Sequence, residues 1–201
     1  MIPFAYSFIF SFLLVVFILQ SVLKKIFAVN IKGYMQALTI LLISVLITAI
    51  PFQGLCLAQW IFSMNANFSI PLTAILLSRV IDNASGIRLL DRNAVLTSTV
   101  FGLIAGTFLY PMALGLGRFD PYEIGWSFSF LFMILMAVTL LLIIVKNRFG
   151  IVLTVCILGY NIRIMESHNL WDYIVDPVFM IISCIYITTS AIKHMYTRGP
   201  V

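Results

Sequence analysis

The chain has 201 residues, 62% hydrophobic and 9% charged, with a formal net charge of +5 and a mean hydropathy of +1.11. Soluble domains carry roughly a quarter charged residues, so a soluble fold is excluded. Runs such as "FIFSFLLVVFILQSVL" are apolar on all sides, with none of the alternation of a strand-built barrel. The composition predicts an all-α integral membrane protein.

A hydrocarbon core of roughly 30 Å takes about 20 residues of helix to cross. In chain order the apolar runs predict seven spans, at 3–23, 35–53, 57–78, 94–116, 121–145, 149–165 and 177–192, forming one helical domain over 1–201. The first run has no basic residue before it and is followed by Lys24 and Lys25, so it reads as a retained span and not a cleaved leader. "IPFQGLCLAQW" supplies the breakers between spans two and three. Spans one and five carry almost no polar groups and suit a perimeter facing lipid or a partner.

Span three is the most polar. Asn65 and Asn67 are costly in a bilayer unless they face the bundle interior or a wet cavity. Pro71 frees the carbonyl of Asn67, giving either a binding site in an unwound turn or interhelical glue. In span four, Ser98, Gly102 and Gly106 recur every four residues and predict a close helix–helix seam, with Pro111 kinking the outer half. "FSFLLVVFILQSVLKK" of span one echoes "FSFLFMILMAVTLLLIIVK" of span five, a faint sign of a three-plus-one-plus-three layout.

Basic residues orient the spans. With the N-terminus outside and the C-terminus inside, ten of the twelve Lys and Arg residues fall inside: Lys24, Lys25, Lys32, Arg79, Arg88, Arg92, Lys146, Arg148, Lys193 and Arg198. Only Arg118 and Arg163 fall outside. The positive charge is therefore a topology signal, and no nucleic-acid partner is expected.

The expected outer loops hold the remaining polar chemistry. Asp120-Pro121 and Asp176-Pro177 read as helix N-caps, with Glu123 at the capping-box position after Asp120. Trp60, Trp126 and Trp171 fall at outer helix ends, as an aromatic belt would place them. "NIRIMESHNLWDY" then contributes Arg163, Glu166, His168 and Asp172. Arg163 and Glu166 would pair on a continuing helix, and His168, Asp172 and Asp176 would share a face if the segment were helical. Glu166, His168 and Asp172 are the candidate acid–base set, and Arg163 and Arg118 the candidate phosphate contacts.

No metal or cofactor is expected. Cys56, Cys156 and Cys184 have no ligand spacing, His168 and His194 fall on opposite sides, and neither HExxH, a glycine-rich phosphate loop nor CxxC occurs. The expected partners are membrane lipids and other integral membrane proteins. Compact loops point to the inner membrane of a bacterium. Three functions fit: first, a non-catalytic multi-pass subunit or accessory of a cell-envelope assembly; second, a small-solute transporter with its site at Asn65, Asn67 and Pro71; third, an enzyme acting on an envelope lipid or lipid-linked glycan at the outer surface.

Overall fold

The computed structural model describes residues 2–27 and 33–197; Lys32 and Arg198, two of the orienting basic residues, lie outside the described residues. Among the described residues the chain forms nine α-helices: α1 (Ile2–Lys25), α2 (Tyr34–Ala49), α3 (Leu57–Met64), α4 (Ile70–Ser85), α5 (Arg92–Pro111), α6 (Phe130–Ile144), α7 (Phe149–Asn161), α8 (Leu170–Ile174) and α9 (Pro177–Thr197). Three helical stretches, Ala5–Lys25, Arg92–Leu116 and Pro177–Tyr196, are long and apolar enough to cross a membrane. Helices α2, α6 and α7 are apolar but shorter, at 16, 15 and 13 residues.

Between α2 and α3 the breakers fold as a minimal antiparallel hairpin, β1 (Pro51–Phe52) and β2 (Leu55–Cys56). Its two turn residues, Gln53 and Gly54, both have positive φ (50° and 86°), the mirror-image turn that matches strand twist. Trp60 closes it by donating its indole N–H to the Phe52 carbonyl at 3.1 Å.

Three expected spans are redrawn. The run 57–78 is not one helix: α3 ends at Met64, residues 65–69 are non-helical, and α4 starts at Ile70. Asn65 breaks the helix by accepting the Asn67 N–H on its own side chain (3.1 Å), and Pro71 sits in the first turn of α4, where its missing N–H costs nothing. The run 121–145 becomes helical only at Phe130, capped by the Ser129 side chain, because Asp120 and the following turn consume residues 120–126. The run 149–165 stops at Asn161. There Arg163, at φ 54°, donates to the Tyr160 carbonyl while Ile164 donates to that of Gly159, the paired bonds of a left-handed helix stop. Pro111 ends α5, and a π turn over Met112–Leu116 carries the helix on.

The seam of small residues lies between α5 and α9. Ser98, Gly102 and Gly106 are all buried, and a Cβ on Gly102 would stand 2.5 Å from the Phe179 ring, one on Gly106 2.7 Å from Met180. Span one, expected on the perimeter, is instead central. Helix α1 buries Phe10, Leu13, Val16 and Gln20 against α2, α3 and α4, with Gln20 donating to the Val80 carbonyl and accepting from Asn83. Broad apolar faces are exposed on α2, α6 and α9. The two halves do not pack alike: α6 lies on α7, but α9 lies on α5.

Candidate functional site

The irregular segments 117–129 and 161–176 meet at the end of the bundle where α1, α4 and α9 begin and α7 ends. Asp176 ties this end together. Its Oδ1 accepts the N–H groups of Val178 (2.8 Å) and Phe179 (3.0 Å) in the first turn of α9, while its Oδ2 accepts that of Ser69 (2.8 Å) at the start of α4. One buried carboxylate thus caps one helix and anchors the entry to another. Burial raises its pKa above the ordinary carboxylate range, and the three N–H donors pull part of the way back.

Asp172 is placed differently. Helix α8 is a single turn, capped by Asn169 through its bond from Trp171 N–H (3.0 Å), and it ends at Val175 in extended conformation. Asp172 Oδ2 accepts the Tyr122 hydroxyl at 2.8 Å across the two segments. Burial raises the Asp172 pKa too, with the Tyr122 bond opposing.

Two more bonds lock the segments together and a third ties them to the stretch before α4. Asn169 Nδ2 donates to the Tyr122 carbonyl (2.8 Å), Trp171 Nε1 to the Pro121 carbonyl (2.7 Å), and Ser167 N–H to Asn67 Oδ1 (3.3 Å). Tyr173, fully buried, donates to the Ser167 carbonyl and accepts from Met165 N–H. Gly125 is where the two strands of this knot touch: a Cβ there would overlap Asn169 Oδ1 at 1.8 Å. Tyr6 of α1 reaches the same end, donating to the Phe68 carbonyl (2.9 Å), and Phe10 stacks on Phe68 at 3.8 Å.

Several sequence expectations are corrected by this geometry. His168, Asp172 and Asp176 do not share a helical face, because one turn of helix separates extended backbone on both sides. Among the described residues the one ion pair is Arg88–Asp82, so neither Arg163–Glu166 nor His168–Asp172 forms one. Glu166 is exposed, and among the described residues no three His, Cys, Asp or Glu side chains gather as a metal site. Asp120 accepts the Tyr122 N–H (2.9 Å) and so caps a turn and a short 3-10 segment, Glu123–Gly125, not a spanning helix. Trp171 is buried in the knot, whereas Trp126 is exposed. Asn65 and Asn67 stand level with Ser167 and Asp176, at the end of the bundle and not midway along it.

Two candidates do come together. Arg163 and His168 line an open cleft of about 210 Å³ with Trp126, Tyr160 and Asn161. Its lining offers a guanidinium, an imidazole, an amide and two aromatic faces, groups able to contact an anion or a sugar. Arg118 is exposed and does not line it. Sequence reasoning missed Tyr122, Asn169 and Ser69; the one available signal was the pairing of two polar, tryptophan-containing turns, "DPYEIGW" and "SHNLWD". Comparison of the chain with protein-family models, curated proteins and solved structures finds no match.

Proposed function

We propose that the chain is a non-catalytic, multi-pass membrane subunit or accessory protein of a cell-envelope assembly. It crosses the bilayer seven times through α1, α2, α4, α5, α6, α7 and α9, with the N-terminus outside and α3 lying at the outer surface. A bacterial inner membrane suits the short connections. The observation that carries this reading is the use made of the acids: Asp172 and Asp176, the groups best placed for chemistry, are occupied in holding backbone and tyrosine. The exposed apolar faces of α2 and α6 supply surface for lipid and for a neighbouring membrane protein. Purification in mild detergent is expected to retain another integral membrane protein. A monodisperse monomer with nothing bound would count against the assignment.

The cleft at Arg163 and His168 favours a second reading, an enzyme or binding protein for a lipid-linked phosphate or glycan at the outer surface. In that case a His168→Ala/Arg163→Gly variant that folds normally abolishes function in cells. Transport draws less support, since Asn67 is tied to an outer turn through Ser167 and Asn65 bonds the backbone of Asn67 beside it.

A further inference from the structure

At the opposite end of the bundle the turn between α4 and α5 closes a cavity of about 230 Å³. Arg79 and Asp82 of α4, Arg88 of the turn, Arg92 of α5 and Tyr186 of α9 line it. Three guanidiniums therefore face one carboxylate, and that carboxylate is engaged: Asp82 Oδ2 accepts from Arg88 Nε at 3.3 Å. Among the described residues, no hydrogen bond or ion pair engages Arg79 or Arg92.

The walls are held in place by other bonds. Ser78 Oγ accepts the Leu90 N–H at 3.0 Å, and Arg148 donates to the carbonyls of Arg88 (2.8 Å) and Leu89 (3.0 Å). Gly86, at φ 77°, ends α4 with the left-handed residue that lets the chain turn back. Helix α5 starts beside the cavity, and its N-cap residue Asp91 makes no side-chain cap bond and does not line the cavity. Three guanidiniums lining one cavity give it an excess of positive charge that favours an anion, and guanidinium forks match the paired oxygens of a phosphate.

We propose that this cavity binds a phosphate group, carried by an anionic lipid headgroup or a small phosphorylated solute. The site is separate from the outer knot, and its chemistry does not depend on the function proposed above. The test is thermal unfolding and ligand titration of the full chain in dodecyl maltoside with three probes: short-chain phosphatidic acid, short-chain phosphatidylcholine and glycerol 3-phosphate. Phosphatidic acid is expected to raise the melting temperature saturably, with an effect that weakens as salt rises. An Arg79→Gln/Arg92→Gln variant, altered only at exposed and unpaired side chains, is expected to melt as the parent does without ligand and to bind at least tenfold more weakly. A response to phosphatidic acid alone assigns a lipid headgroup; an equal response to glycerol 3-phosphate assigns a solute. A response to phosphatidylcholine equal to that of phosphatidic acid, no response to any probe, or an undiminished response in the variant would overturn the proposal.

Discussion

Removing the Asp176 carboxylate tests how the outer end is built. In Asp176→Ala, α9 loses its N-cap, worth about 0.5–2 kcal/mol, and the favourable charge at its N-terminus, worth about 0.3–1 kcal/mol. The Ser69 N–H, buried 2.8 Å from Oδ2, is left without a partner, at about 1–3 kcal/mol. Burial of the charge, visible in its raised pKa, returns a part of this. The net loss is about 1–5 kcal/mol. Asp176→Ser separates the terms: a serine can still cap α9 but cannot also reach Ser69, so about half the loss should remain. The assay is reversible unfolding in mixed micelles, read by circular dichroism for each variant. An alanine variant within about 0.5 kcal/mol of the parent, the typical effect of a neutral surface change, would refute the latch.

The other predictions concern separate parts of the molecule. Gly102→Ala gains about 1 kcal/mol of helix propensity but drives a methyl against the buried Phe179 ring, at about 1–3 kcal/mol, so it should melt at or below the parent, and Phe179→Leu should rescue it. Arg163→Gly places glycine where φ is 54° and should raise stability by about 1 kcal/mol in the same unfolding assay; a fall would mean the guanidinium supports the fold. Asp172, its pKa raised by burial, binds its proton more tightly folded than unfolded, so this contribution is full below the unfolded carboxylate pKa of about 3.9 and is lost as pH climbs through the higher folded value. A melting-temperature series from acid towards neutral pH should fall less steeply in Asp172→Asn than in the parent. Cysteine labelling at position 168 should occur from the outer side of the membrane; labelling only from the cytosol would reverse the proposed orientation.

What the sequence made legible follows from which forces are local. The seam at Ser98, Gly102 and Gly106 was readable because spacing along one helix fixes its face, and α9 duly fills the groove. The cap at Asp176 was readable from Asp-Pro, which fixes both the acceptor and the first helical residue. Its bond to Ser69, 107 positions away, was not, because nothing along the chain encodes that proximity. Helix ends fall short of the expected span ends at two places where an apolar run continues past a polar residue able to bond its own backbone. Asn65 and Ser129 both do this, and a hydropathy window averages over them. The central position of α1 was masked by its composition. Its polar residues Ser7, Ser11 and Gln20 are buried along with Phe10, Leu13 and Val16, whereas apolar residues are indifferent to which neighbour they meet in lipid.

On the seven-crossing reading, helix length gives the outer knot its purpose. Helices α2, α6 and α7, at 16, 15 and 13 residues, reach only about 20–24 Å at 1.5 Å per residue, well short of the roughly 30 Å core. The chain before α6 and after α7 must then run as irregular backbone close to hydrocarbon, where each unpaired N–H or C=O costs several kcal/mol. The bonds of Asn169 to Tyr122, Trp171 to Pro121 and Asp172 to the Tyr122 hydroxyl pair polar groups from these two segments with each other. The same requirement accounts for Gly125, since only the absence of a side chain lets the segments close. A stretch rich in acids and amides can therefore arise with no catalytic demand on it. Arg163 and His168 at the cleft and Arg79 and Arg92 at the other end take no part in that pairing, which is why the two proposed ligand sites are built on them.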